Sequence, residues 1–327
     1  MIVGLTYDLR SEYLKEGYSN EETAEFDKED TIEGIEAGIQ KMGFETERIG
    51  NIKQLVSKLS SGKRWDLVFN IAEGMYGISR EAQVPALLDA YQIPYVFSDA
   101  LVLTATLNKG VTKRLVRDMG LATPNFAIVS TVSDIDKIKL PFPLFAKPIA
   151  EGTGKGITAN SKLTNKIQLE EVCTELLGKF KQPVLVETFL PGREFTIGVI
   201  GNGDKAQVIG GMEIIFGELA EQEVYSFFNK ENYENRIHYQ KLEDKKILKE
   251  CSELVLNAWN GLDCKDGGRV DVRMDEKGIV NFIEVNPLAG LHPIHSDLVI
   301  IAKMNGVDHN QLIAMIMNAA LERHNLK

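Results

Sequence analysis

The chain has 327 residues, 44% of them hydrophobic and 26% charged, so it is globular, long enough for two or three modules, and neither disordered nor collagen-like. A formal charge of -10 offers no basic footprint for phosphate contacts, which argues against nucleic-acid binding. No apolar run approaches the ~20 residues of a membrane helix, and Asp8 interrupts the N-terminus before a signal-peptide core can form, so a cytoplasmic protein without membrane contact is expected.

In chain order, "IVGLTY" reads as a strand, "DTIEGIEAGIQKMG" as a helix closed by Gly43, and "FETERIG" as a strand. "NIKQLVSKLSSG" follows as a helix, "WDLVFNIA" as a strand, "SREAQVPALLDAYQ" as a helix and "IPYVFS" as a strand. Strands alternating with helices predict a doubly wound parallel sheet over residues 1–106, with the ligand rim off the carboxyl ends of the strands. From there the grammar changes. A helix "NKGVTKRLVRDMG", strands "TPNFAIVS" and "FPLFAKPI", a glycine-rich loop, a helix "NKIQLEEVCTELLGKF" and a strand "PVLVETFL" predict a small α+β module over 107–190. Residues 191–327 hold the strands "EFTIGVIG" and "KAQVIGGMEI", then a polar, aromatic loop of about twenty residues. A helix "DKKILKECSELVLNAWNG", strands "GRVDVRM" and "GIVNFIEVN" and a last helix "HNQLIAMIMNAALERH" complete the module.

Cys173, Cys251 and Cys264 are odd in number and contain no close pair, so reduced, buried thiols are expected. His292 and His295 lie three apart without a third ligand, which does not make a zinc site.

Three stretches carry candidate chemistry. In "GRVDVRMDEKGIVNFIEVN", a hairpin, Asp271 shares a face with Arg269 and Arg273, and Glu284 shares one with Asn286, because side chains alternate along a strand. Whether the two faces coincide depends on the parity of the loop, which the sequence leaves open. If they coincide, two carboxylates, an amide and a guanidinium converge as a Mg²⁺ and phosphate site would require; otherwise the hairpin is a charged surface. In "FAKPIAEGTGKGI", Gly152, Gly154 and Gly156 free the backbone to approach an anion, and Lys155 stands beside them. Lys147 lies inside an apolar strand, where burial calls for an anionic partner. In "VLVETFLPGREFTIGV", Glu187 and Glu194 flank a Pro-Gly hinge against which a nucleotide base can lie.

Taken in this order, the stretches resemble the ATP-grasp superfamily and, within it, the D-alanine–D-alanine ligase family. The resemblance covers most of residues 65–320. "IPYVFSD", "LNKGVTKRLVRDMGLATP", "FAKPIAEGTGKGI", "LVETFLPGREFTIGV" and "RVDVRMDEKGIVNFIEVNPLAG" each look like a family segment. It implies an ATP-grasp fold of α/β and α+β character behind the N-terminal parallel-sheet domain. It further implies that Lys109 and Lys147 hold ATP phosphates under the loop Glu151, Gly152, Thr153, Gly154 and Lys155. Glu187, Thr188, Phe189, Leu190 and Glu194 would line the adenosine, and Asp271, Glu284 and Asn286 would hold two Mg²⁺ ions, with Mn²⁺ as an alternative. Arg269 would face the transferred phosphoryl group, Lys230 of "YSFFNKENY" would lie over the phosphates, and Ser296 would meet the acceptor carboxylate.

Three departures stand out, one being that "LHPIHS" after Gly290 is one residue longer than the family's segment, so the assignment of Ser296 needs an insertion. The family's N-terminal motif for the first amino acid's ammonium is replaced by "TYDLRSEYLKEGYSNEE", and Glu73 stands where a histidine is expected. The implied activity is an ATP-dependent carboxylate–amine ligase acting on amino acids or short peptides through an acyl phosphate, with a homodimer implied by the same resemblance. The alternatives are an ATP-binding regulatory protein that no longer ligates, and an ATP-grasp carboxylase or phosphotransferase.

Overall fold

The computed structural model describes residues 1–217 and 237–326. Strands β1 (Ile2–Thr6), β2 (Glu45–Gly50), β3 (Leu67–Asn70) and β4 (Tyr95–Val96) form a parallel sheet in the order β2-β1-β3-β4. Every residue of β3 is buried, as a strand covered on both faces requires. One cover is the helix Glu29–Lys41, whose Ile32, Ile35 and Ile39 pack with Leu67 and Phe69. The other comprises the helices Ile52–Ser60 and Gln83–Ala90, whose Leu55, Leu59, Val84 and Leu88 pack with Val68. The doubly wound arrangement expected from the alternation is therefore present.

The first cover is not complete within the N-terminal hundred residues. Helices Asp297–Met304 and His309–Arg323 bring Leu298, Leu312, Ile313, Ile316 and Met317 into the same core. The helix His309–Arg323 approaches Glu29–Lys41 at Gly38, where a Cβ would stand 2.9 Å from Ile313 Cβ.

Strands β5 (Phe126–Val129), β6 (Leu144–Pro148), β7 (Lys162–Leu163) and β8 (Val184–Thr188) make a second, antiparallel sheet in the order β5-β8-β6-β7. Leu144, Ala146, Val184 and Val186 pack on the helix Lys166–Phe180, which turns Phe145, Lys147 and Glu187 to the opposite face. The third sheet is also antiparallel, in the order β11-β10-β9-β12-β13: β9 is Glu194–Ile200, β10 Gln207–Phe216, β11 Ile237–Lys241, β12 Gly267–Met274 and β13 Val280–Asn286. Its apolar face, with Phe195, Ile197, Val270, Val272 and Phe282, packs on Cys251, Val255 and Trp259 of the helix Lys245–Gly261.

The sequence reading missed the short helix Arg10–Lys15, the strands β7 and β11, and two further helices, Ala100–Leu107 and Asp297–Met304. The last two are apolar nearly all round, so neither displays the 3.6-residue stripe that marks an amphipathic helix. The three cysteines are buried and free, and burial pushes the Cys173 and Cys251 thiols up to about 12.

Candidate active site

The face question at the hairpin is settled by an irregularity. β12 and β13 pair Met274 with Val280 across five intervening residues, an odd count that would turn Asp271 and Glu284 to opposite sides. Between Phe282 and Glu284, however, the register shifts by one. Ile283 is the extra residue of a β-bulge, and beyond it Asp271 faces Glu284 and Arg269 faces Asn286. β9 adds Thr196 opposite Asp271 and Glu194 opposite Arg273 on the same face. The sheet thus turns an apolar side to its helix and a polar side to the cleft.

Hydrogen bonds hold that polar face in order. Thr196 Oγ1 donates to Asp271 Oδ1 at 2.8 Å, Asn286 Nδ2 donates to Asp271 Oδ2 at 3.3 Å, and Arg269 pairs with Asp271 and, at 3.6 Å, with Asp297. Burial works against the Arg269 charge, but Asp271, Asp297 and Glu284 outweigh it and raise its pKa further.

Facing this sheet across the cleft, the strand β6 and the helix Lys109–Asp118 present lysines. Lys147 is buried and lies 3.3 Å from Glu187 Oε1 and 3.7 Å from Glu284 Oε2; Lys109 lies 3.6 Å from Glu284 Oε2 and donates to the Glu151 carbonyl at 2.6 Å. A third lysine, Lys113, is wholly buried and pairs with Glu187 Oε2 at 2.7 Å. Burial lowers the Lys113 pKa despite Glu187, whereas in Lys147 the nearby Glu187 and Glu284 overcome burial and raise it. Glu187 is held ionised against its own burial by Lys113 and Lys147. Sequence reasoning passed over Lys113, although its i+4 spacing from Lys109 on the helix Lys109–Asp118 puts both on one face.

The hinge residues Thr188, Phe189 and Leu190 line the cleft together with Glu194, which pairs with Arg273 at 3.1 Å. Arg273 also lies over the Phe189 ring at 5.0 Å, and Lys162 lies over it at 4.4 Å. These residues, Phe145 and the glycine-rich loop bound an open cleft with polar and apolar walls.

The glycine-rich loop is tied to the N-terminal unit by Glu25 and Arg80, neither of which sequence reasoning singled out. Glu25 accepts from the Gly152 N–H at 2.6 Å and pairs with Arg80 at 3.0 Å and Lys155 at 3.4 Å. Lys155 also pairs with Glu151 at 2.7 Å, and Arg80 donates to the Ala150 carbonyl at 3.0 Å. Burial opposes the Glu25 charge, but Arg80, Lys155 and the Gly152 N–H together lower its pKa. Thr153, Gly154 and Gly156 all take positive φ, so the loop turns sharply over the cleft.

A second chamber, sharing Lys109, Glu151 and Glu284 with the first, reaches toward the N-terminal sheet past Arg269 and Asn286 to Glu73 and Glu81. Thr153 and the segment from Pro287 to Gly290 also line it. Ser296 does not: it caps the helix Asp297–Met304, and its Oγ accepts from the His292 N–H at 2.9 Å. His292 stacks on His295 and contacts Asp30 at 2.9 Å, linking this segment to the N-terminal unit. Lys230 lies outside the described residues.

The model of the family described as "D-ala D-ala ligase C-terminus" matches residues 115–318. The chain is 30% identical over 288 residues to the D-alanine–D-alanine ligase of Aquifex aeolicus, a span of 88% of this chain and 93% of that one. The crystal structure of a D-alanine–D-alanine ligase from Bacillus anthracis complexed with ATP aligns with a TM-score of 0.75 at 21% identity, covering 100% of this chain and 99% of the other. VanG D-Ala:D-Ser ligase from Enterococcus faecalis aligns with a TM-score of 0.74 at 19% identity, covering 98% and 99%. The fold is that of an ATP-grasp enzyme. More narrowly, the chain belongs to the D-alanine–D-alanine ligase family, whose members use ATP to form an amide bond between small amino-acid substrates, and it is an ATP-dependent carbon–nitrogen ligase. Among the described residues, no helix is long and apolar enough to cross a membrane.

Proposed function

We propose that the first chamber takes ATP and the second takes the acid and the amine to be joined. Lys109 and Lys147 meet the phosphates under the loop from Glu151 to Lys155, and Thr188, Phe189, Leu190 and Glu194 border the adenosine. Glu187 sets the charge of Lys147 and Lys113 at the base of the same chamber. The γ-phosphoryl group passes to an oxygen of the substrate carboxylate, giving an acyl phosphate and ADP. The amine nitrogen then attacks the acyl carbon, the C–O bond to phosphate breaks, a proton leaves the nitrogen, and amide and phosphate result. Activation is needed because a free carboxylate is a poor electrophile. The chain's own share is to align the reactants, to neutralise charge with Arg269 and the lysines, and to keep water from the acyl phosphate.

Asp271, Glu284 and Asn286 fit Mg²⁺, a hard cation bound through one or two carboxylates together with substrate phosphates. Among the described residues no cluster of three or more His, Cys, Asp or Glu gathers into a complete cage, and this mode of binding needs none. Two ions, with Mn²⁺ able to replace them, would supply charge neutralisation at the phosphoryl oxygens. The substrates are amino acids or short peptides, and the enzyme works as a cytoplasmic homodimer, with modules at 1–106, 107–190 and 191–327.

The observation that carries this reading is the bulge at Ile283, which aims Asp271 and Glu284 at one cleft opposite Lys109 and Lys147. The test is calorimetry of ATP uptake with and without Mg²⁺, followed by ADP release over a panel of D- and L-amino acids offered singly and in pairs. Magnesium-dependent uptake and amino-acid-dependent ADP release are expected. ATP uptake without ADP from any pair would favour the regulatory alternative.

A further inference from the structure

The charges of the second chamber do not balance. Lys109 faces Glu284, Arg269 faces Asp271 and Asp297, and Glu25 and Glu151 share Lys155 and Arg80. Among the described residues, the carboxylates of Glu73 and Glu81 have neither an ion pair nor a hydrogen bond, yet both border the space where an acid must lie beside Arg269. The environment disfavours their charge. Burial, then Glu81, Glu25 and Asp27, push Glu73 well above the usual carboxylate range, with Arg80 pulling the other way. Burial and Glu25 push Glu81 to about 7 against Arg80 and Lys109.

A half-buried pair of uncompensated carboxylates costs stability, and a cation delivered by the ligand would remove that cost. The α-ammonium of a neutral amino acid supplies one positive charge for two acids. Glu73 also stands where the family resemblance expects a histidine.

We infer that the acid activated by this enzyme carries a cationic side chain in addition to its α-ammonium, as a diamino or guanidino acid does. Glu73 and Glu81 hold the two positive groups, while the substrate carboxylate points to Arg269 and the ATP chamber. The inference rests on the ligase reading and names its substrate class.

The experiment compares ADP release, with Mg²⁺ and ATP, for lysine, ornithine and arginine against the neutral isostere norleucine and alanine, in both hands and each with a common amine partner. The cationic acids are expected to exceed norleucine in kcat/KM by roughly tenfold or more, the scale of one desolvated charge pair. In Glu73→Gln and Glu81→Gln the lysine-to-norleucine ratio should fall by a similar factor, with circular dichroism confirming that each variant is folded. ADP release with alanine or norleucine at the same kcat/KM as lysine, or a ratio unmoved in both variants, overturns the inference and leaves the ligase reading standing. No ADP from any acid overturns both.

Discussion

Glu187 sits between Lys113 and Lys147, and none of the three is exposed enough for water to replace a lost partner. Lys113→Met leaves Glu187 with one lysine in place of two and should cost ~3 kcal/mol of unfolding free energy, read by urea denaturation. Asp271→Asn should reduce turnover by roughly a hundredfold or more in the ADP-release assay while leaving the fold intact, because Thr196 and Asn286 can still bond the amide. Full turnover in this variant would remove Asp271 from the metal set. At this scale the sequence showed which side chains could do chemistry but not which would be paired. Lys147 called for an anionic partner from its apolar strand, and that partner is Glu187, forty residues away. Glu25 gave no local sign of its role, because its contacts with Gly152, Arg80 and Lys155 are all made by folding.

The elements that assemble the site were largely legible from periodicity, since strands and amphipathic helices announce their buried faces. What could not be read was the parity of the hairpin. Ile283 is an apolar residue inside an apolar run, with no glycine or proline to mark a bulge, so nothing local distinguished a coincident face from an opposed one. The glycine-rich loop was recognisable, and the structure adds why its last glycine is needed. Gly156 has φ +74°, and a Cβ there would meet Pro148 Cγ at 2.5 Å and Phe180 at 2.8 Å. Gly156→Ala should therefore displace the loop and raise the KM for ATP by roughly fivefold or more, with a smaller change in kcat, as steady-state kinetics would show.

Over the whole molecule, the unmatched acids also set how stability responds to pH. Glu81 has a folded-state pKa of about 7, above its ordinary value of 4.5, so the native state holds a proton that the unfolded chain releases first. Its contribution is intact at the acidic end and is lost as pH rises from about 4.5 through 7. Ligand-free Glu81→Gln should thus melt higher than the parent protein at about pH 8 and close to it at about pH 5, a comparison made by thermal denaturation in two buffers. Equal shifts at both values would place the titration elsewhere. The helix His309–Arg323 has a separate consequence. It closes the hydrophobic layer beneath the N-terminal sheet, and Arg323 bonds the Tyr95 and Phe97 carbonyls. During synthesis, therefore, the first hundred residues wait for a stretch translated some two hundred codons later, and a ribosome paused before that point presents a bare aliphatic surface to chaperones.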